Sequence, residues 1–417
     1  MTYRERIVDA EITEVLSAMG AAVIEGARGC GKTATGEHHA ASSIRLDALP
    51  QAALIAETSP QAILDGPTPR LIDEWQLAPL IWNAMRHEAD RRQAPGQFIL
   101  TGSATPADDV TRHAGVGRIG RIRMRPMTLA ETGQSSAQVR LTELFAGSTQ
   151  ITGQAQLSVP ELAEAAVRGG WPAQLDSTLA ASTRFASHYV EELTRADIPQ
   201  VAGVSHNRDK LRRTITSLAR NLGTELKVAT LTADINGSTG TIHPETVGNY
   251  LTALGEIFVL EPLTAWNPHI RSKTRLRSAA ATHFVDPSLA VAALRLNVDR
   301  LLNDLEYFGF VFESLAIRDL RVFAEALDGT VYRYRDNTGL EVDTIVELRD
   351  GRWGAIEVKL GESQVDQAET NLLKLARERV DTARLGEPSF LAVVTGSQLA
   401  YTRPSGVHVV PLSTLAL

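Results

Sequence analysis

The chain has 417 residues and a net charge of −7, so two or three domains are expected and a surface coated in positive charge for nucleic acid is ruled out. Apolar residues make up 43% and charged residues 22%, ordinary for a soluble globular protein, and no apolar run reaches the ~18 residues of a membrane span. The single cysteine, Cys30, leaves no internal disulfide framework and no cysteine-rich zinc site, and the charged N-terminus lacks the apolar core of a secretory signal, so a cytoplasmic protein is expected.

Residues 1–19 read as a helix. The run 21–26 is a short buried strand that enters a glycine-rich loop, and 32–42 continue as a helix. Further short apolar strands are predicted at 44–47, 69–74 and 97–103, with a helix over 78–92. Strands alternating with helices predict a parallel sheet covered on both faces. Residues 133–160 are rich in Gly, Ser, Thr and Gln, which places a boundary near 150. Residues 151–265 read mostly as helix. Residues 266–417 form a third region of mixed α/β character, with strands at 332–336, 340–348, 353–360, 390–396 and 407–412.

Gly26, Gly31, Lys32 and Thr33 satisfy G-x-x-x-x-G-K-[ST], the Walker A pattern, between a strand and a helix as the pattern requires. The expected nucleotide-binding residues are Gly26, Ala27, Arg28, Gly29, Cys30, Gly31, Lys32, Thr33 and Ala34. The glycines let the backbone turn several N–H groups toward one anion, and the helix N-terminus adds partial positive charge. Lys32 reaches the β- and γ-phosphates, and the Thr33 hydroxyl is expected to ligate Mg²⁺. Alkylation of Cys30, inside this loop, is expected to block the nucleotide.

The strand at 69–74 delivers Asp73 and Glu74 to the sheet edge where such folds bind ligands, a Walker B pattern. Asp73 is expected to hold Mg²⁺ through water, and Glu74 to act as the general base on the attacking water. Ser103 or Thr101, at the end of the neighbouring strand, would sense the γ-phosphate. Arg121, Arg123 and Arg125 alternate and would share one strand face. Arg118 and Arg121 are candidates for the arginine that meets charge developing during hydrolysis, supplied in cis or by a neighbouring subunit. A solvated edge strand guarded by charge explains the same residues.

The stretches 26–33, 70–79 and 98–106, followed by 117–131, resemble a family of prokaryotic AAA-type ATPases whose C-terminal region is a domain of unknown function with a restriction-endonuclease-like core. The resemblance implies ATP and Mg²⁺ as cofactors, rather than GTP, and implies hydrolase activity.

In the middle region, helices followed by a strand-like stretch resemble a winged helix, which the same family carries. Reading DNA with it would place Thr246, Asn249 and Tyr250 in a groove. A helical connector or protein-contact module fits the same pattern. Local basic clusters occur at Lys210, Arg212, Arg213 and Arg220, and at Arg271, Lys273, Arg275 and Arg277. Either is a phosphate-binding patch or a solvated face.

In the third region, strand parity puts Asp343, Glu357 and Lys359 on one face. That parity demands an odd-length connection, for which Asp350, Gly351 and Arg352 are expected, with Gly351 at positive φ. An acid on one strand and acid-x-lysine on the next resembles the PD-(D/E)xK nuclease core. The resemblance implies that Asp343 and Glu357 bind Mg²⁺, that Lys359 orients water, and that Glu313 supplies a helical acid. Val342 stands where the motif usually has proline. A buried ion network without cleavage is the alternative.

The expected architecture is therefore α/β: a P-loop parallel sheet, a helical winged-helix-like segment, then a restriction-endonuclease-like domain. The expected function is an ATP-driven switch acting on the C-terminal domain. An ATP-gated nuclease and a DNA-binding regulator stand as alternatives, with DNA, a protein partner or a second copy of the chain as partners and no membrane.

Overall fold

Five strands, β1 (Ala21–Glu25), β2 (Ser42–Arg45), β3 (Arg70–Asp73), β4 (Phe98–Gly102) and β5 (Ile119–Arg123), form one parallel sheet in the order β2-β3-β4-β1-β5. They belong to a computed structural model that describes residues 3–103, 117–197, 207–225, 227–237, 241–268 and 280–417. The chain divides into two units, one from residues 1–126, 197–204 and 252–259, the other from 127–196, 205–251 and 260–417.

In the first unit the central strands are apolar on both faces because helices cover both. Val23, Ile72, Phe98 and Leu100 pack with Trp82 and Met85 of the helix Ile81–Arg92. Ala22, Ile24, Leu71 and Ile99 pack on the opposite face with Ile12 of the helix Val8–Ala18. Because all five strands run the same way, the residues that follow β1, β3 and β4 converge at one edge. β5 lies at the sheet margin. Arg121 and Arg123 share one face of it, as alternation predicts, whereas Arg125 lies beyond the strand and is buried.

The second unit begins earlier than composition suggests. Residues 127–150 fold with it, not with the first domain. The Leu129 N–H donates to Asp319 Oδ2 at 2.9 Å, and the Met127 N–H to Gly170 O at 2.7 Å. β6 (Val139–Arg140) pairs with the last strand of the chain, β16 (Leu415–Ala416), and β7 (Gly153–Gln154) adds to the edge of the large C-terminal sheet. The Gly- and Ser-rich residues thus mark turns between short edge strands, not a linker.

Helices Val159–Arg168, Leu179–Glu192, Arg208–Arg220, Val228–Asn236 and Pro244–Glu256 follow, as the sequence suggests. Ser158 and Glu161 close a reciprocal capping box at the start of the first. The helix Arg208–Arg220 packs on Val228–Asn236, and an antiparallel pair, β8 (Leu260–Leu263) and β9 (Ala281–Phe284), comes after the last helix.

β10 (Gly329–Arg335), β11 (Glu341–Leu348), β12 (Trp353–Lys359), β13 (Phe390–Thr395), β14 (Leu399–Thr402) and β15 (His408–Pro411) complete a seven-stranded sheet in the order β10-β11-β12-β13-β15-β14-β7. β10 to β12 form an antiparallel meander, and β12, β13 and β15 are parallel. The helix Leu305–Glu325 packs on the meander, and the helix Val365–Lys374 packs on β12 and β13. Ile345, Trp353 and Ala355 join Ala368 and Leu372 of the latter helix in one core, so the face carrying the acidic residues is itself half apolar.

Candidate functional site

The glycine-rich loop lies between β1 and the helix Lys32–His39, with Gly29 and Gly31 at φ 79° and 108°. Gly26 is required for a different reason: a Cβ there would lie 2.1 Å from the Met124 carbonyl oxygen. Arg6 clamps the loop from outside the motif. Its guanidinium donates to Cys30 O at 3.0 Å and to Arg125 O at 2.8 Å. This clamp joins residues far apart in sequence, and no local signal announced it. The Lys32 ammonium is buried and donates to Gly26 O and Ala27 O at 2.9 and 3.0 Å. Cys30 points inward, wholly buried, with its thiol 3.5 Å from Met124 O. It is therefore shielded from a bulky alkylating reagent, so the expected block of the nucleotide by alkylation first requires the loop to open.

Asp73 and Glu74 arrive at the same edge. The Thr33 hydroxyl donates to Asp73 Oδ1 at 2.9 Å, and Thr101 donates to the same oxygen. The two expected Mg²⁺ ligands are thus already in contact, and an alcohol beside a buried carboxylate is a donor set of hard oxygens that suits Mg²⁺. Glu74 sits at φ 57°, in the left-handed region that a non-glycine residue seldom occupies. This turns its carboxylate away from Asp73 and toward the end of β4, where Ser103 donates to Glu74 Oε2 at 3.1 Å. Gln76 donates to that carboxylate too, and to Ser103 Oγ at 3.3 Å. Gln76 was missed in the sequence. It lies two residues past the acidic pair in a short 3₁₀ turn that no periodicity reveals. Thr101 serves Asp73, and Ser103 serves Glu74.

Neither arginine candidate reaches this edge from its own chain. Arg118 precedes β5, at the end of the sheet opposite the loop, and pairs with Asp90. Arg121 is level with Val23 in mid-strand, pairs with Glu25 and lies over the Trp82 ring at 5.0 Å. Both are set by strand register, which fixes them away from the phosphate loop.

In the second unit the parity expectation is met. Pairs such as Thr344 with Ile356 and Glu347 with Trp353 set the β11–β12 register, placing Asp343 and Glu357 on one face. The turn is shifted by one residue from the expected one. The Leu348 N–H donates to Arg352 O at 2.8 Å, leaving Arg349, Asp350 and Gly351 in the loop, with Gly351 at φ 90°.

Lys359 ties the acids together, donating to Asp343 Oδ2 at 2.8 Å and lying 2.6 Å from Glu357 Oε2. The Val358 N–H also donates to Asp343 Oδ2 at 2.8 Å, and Asn371 to Glu357 Oε1 at 3.0 Å. Burial, then the charge of Asp343, pushes the Glu357 carboxyl up to about 8. Glu313, on the helix Leu305–Glu325, is raised well above the carboxylate range by burial and by Asp343, so the helical acid does join the group. Burial opposes the charge on Lys359, but Asp343 and Glu357 outweigh it and raise the ammonium above its usual range.

All four expected residues are brought together. Among the described residues no three His, Cys, Asp or Glu side chains are arranged to hold a metal ion. In this structure the Lys359 ammonium lies between the Asp343 and Glu357 carboxyls.

The helix Pro244–Glu256 buries Val247, Tyr250 and Leu254 and exposes Glu245, Asn249, Thr252 and Glu256. Tyr250, expected in a groove, is a core residue; Asn249 is exposed and Thr246 half-buried. Arg212 and Arg220 are exposed, Lys210 and Arg213 half-buried, and Arg220 lies 3.8 Å from Asp234. Arg271, Lys273, Arg275 and Arg277 lie outside the described residues. No helix among the described residues is long and apolar enough to cross a membrane.

Three family models match the chain: an AAA domain over residues 19–133, a domain of unknown function (DUF8612) over 159–300, and another (DUF4143) over 308–415. Uncharacterised proteins of Mycobacterium tuberculosis and Mycobacterium bovis are each 26% identical over 296 residues, covering 69% of this chain and 58% of theirs. The chain therefore spans little more than half the length of these curated relatives. Among solved structures, a Walker-type ATPase of Pyrococcus abyssi is 11% identical, with a TM-score of 0.42 over 70% of this chain and 96% of that one. The Orc1 protein of Aeropyrum pernix, solved in complex with DNA, is 12% identical, with a TM-score of 0.27 over 73% and 95%. The match to the AAA domain model spans the stretch that holds the glycine-rich loop, Asp73 and Glu74.

Proposed function

We propose that this protein is a Mg²⁺-dependent ATPase that uses the nucleotide cycle to switch the state of its C-terminal domain. The observation that carries the reading is the pairing of Thr33 with Asp73, beside a separate cluster of Glu74, Gln76 and Ser103, at the mouth of the glycine-rich loop. One carboxylate is held for a metal, and the other is held apart from it for a proton.

In this reading the Lys32 ammonium leaves the carbonyls of Gly26 and Ala27 and pairs with phosphate, exchanging neutral acceptors for charged ones about twice as strong. Backbone N–H groups from Gly29 to Thr33 would cradle the β-phosphate. Thr33 and Asp73 would hold Mg²⁺, which when bound neutralises charge on the phosphates. Glu74 would take a proton from the attacking water, with Ser103 reporting the γ-phosphate to it through their shared hydrogen bond. Since Arg118 and Arg121 point elsewhere, an arginine finger would come from another residue of this chain, such as Arg45, 4.0 Å from Asp73 Oδ2, or from a second copy.

Two substitutions test the site. Lys32→Ala should abolish ATP binding in calorimetry. Glu74→Gln should keep ATP affinity within about threefold and lower turnover by about 10²–10⁴. Turnover near the wild-type rate in Glu74→Gln would remove the general base from this account.

The cluster of Glu313, Asp343, Glu357 and Lys359 favours a second reading, ATP-gated cleavage of DNA. It requires Lys359 to release the acids before a metal could enter. DNA cutting that depends on Mg²⁺ and is lost in Asp343→Ala, with ATP hydrolysis intact, is its test. A helix set followed by the β8–β9 hairpin has the order of a winged helix, which motivates the regulator reading. The exposed face of the helix Pro244–Glu256 carries two glutamates and no cation, so it supports a protein contact better than a DNA groove.

A further inference from the structure

A cavity of about 340 Å³ opens beside the Asp343 centre, lined by Glu225, Glu313, Arg333, Arg335, Asp343 and Lys359. Arg333 reaches it because of an irregularity in the meander. Tyr332 pairs with Ile345 and Tyr334 with Val342, so Asp343 and Thr344 together oppose Arg333. Such a bulge re-aims the side chains around it.

Both β10 guanidiniums close on one carboxylate oxygen. Arg333 pairs with Glu225 Oε1, and Arg335 lies 3.5 Å from the same atom. Guanidiniums pair with carboxylate and phosphate oxygens alike, so two that meet on a glutamate oxygen have the chemistry to hold a phosphate oxygen. Glu225 comes from outside the meander. It is tied to β9 by one isolated bridge to Ala281, and Gly223, two residues earlier, donates to Thr282 O at 3.2 Å. Without Glu225, the nearest acid to Arg333 is Glu341 at 3.9 Å, which is itself half exposed. A buried guanidinium in that position demands an anion.

We propose that Arg333 and Arg335 form a binding site for a phosphate ester, and that Glu225 fills it in this conformation as an internal competitor. The segment carrying Glu225 withdraws when phosphate enters, which opens the approach to Asp343 and Lys359. The site owes nothing to ATP hydrolysis at Lys32 and stands or falls separately. The phosphate comes either from a DNA backbone or from a small free anion.

The test uses the full chain without nucleotide. Wild type and Glu225→Gln are titrated with a short fluorescein-labelled DNA duplex by anisotropy, and with inorganic phosphate by calorimetry. If the open form is about a tenth of the population, removing the competitor tightens binding about tenfold. Adding Arg335→Ala to Glu225→Gln should abolish the gain. A gain with DNA alone assigns the site to a nucleic-acid backbone. A gain with inorganic phosphate, with or without DNA, assigns it to a phosphate group as such. No gain in either arm, or a gain that survives Arg335→Ala, overturns the proposal. Should Glu225→Gln fail to fold, Glu225→Asp keeps the charge but shortens its reach. It is then held to the same outcomes with a smaller gain.

Discussion

His283 offers a measurement whose size follows from its surroundings. It lies on β9, 1% exposed, with Nδ1 2.8 Å from Ser314 Oγ and Nε2 without a hydrogen-bond partner among the described residues. Burial, then the charge of Arg321, pushes its pKa down to about 3, with Glu261, the partner of Arg321 at 2.7 Å, opposing in part. A depressed histidine favours the fold only while neutral. Its contribution is complete above the ordinary value of about 6.5 and is lost as the pH falls from there toward 3. At about 1.36 kcal/mol per pKa unit, the loss between pH 7.5 and pH 5.0 is about 2 kcal/mol. His283→Asn keeps a polar group near Nδ1 and cannot take the proton. Urea unfolding followed by tryptophan fluorescence, on both proteins at several pH values, isolates the effect. The variant loses packing at every pH, so only the pH dependence of the difference counts. Carboxyls raised by burial, such as Asp319 at about 6, shift stability the other way, but they do so in both proteins and cancel. The stability advantage of wild type should shrink by about 2 kcal/mol on going to pH 5.0. Parallel curves would mean that His283 is not held neutral, and the reasoning from burial would fail.

Two further outcomes follow from the same geometry. Gly26→Ala forces a Cβ to within 2.1 Å of the Met124 carbonyl, so the loop must move. ATP affinity should disappear in calorimetry, and stability should fall by about 1–3 kcal/mol in urea unfolding. Lys359→Met leaves Asp343 and Glu357 without their shared counter-charge. A raised carboxyl contributes stability at low pH and loses it as pH climbs through its folded value, here about 8. The variant should therefore lose more stability at pH 9 than at pH 6, and equal losses at both would show that Lys359 does not hold the Glu357 charge.

What could be read from the sequence was chemistry held within a few consecutive residues. The glycine-rich loop, the Asp73–Glu74 pair and the acid-x-lysine of β12 each need a fixed spacing on one element, and each was found in place. What was missed depends on distant partners. Arg6 acts on carbonyls 24 and 119 residues away, and Arg333 meets an acid 108 residues earlier. The start of the second unit was hidden because β6 and β7 are two residues each, too short to show a period.

The meander shows why a correct parity argument can still leave the site half read. Alternation holds along β12 and the paired stretch of β11, so Asp343, Glu357 and Lys359 come together as spacing demands. It fails between β10 and β11, where the bulge sets Asp343 and Thr344 against Arg333. Val342 can then join Ile345 in the core, although a regular strand would send them to opposite faces. Nothing local in the sequence marks a bulge of this kind, because both of its residues are ordinary strand occupants at negative φ. Its consequence is chemical. The bulge brings a buried arginine to the acidic centre, and the arginine needs an anion. That need turns Glu225, an unremarked residue in a connecting segment, into the group that decides whether the centre is open or closed.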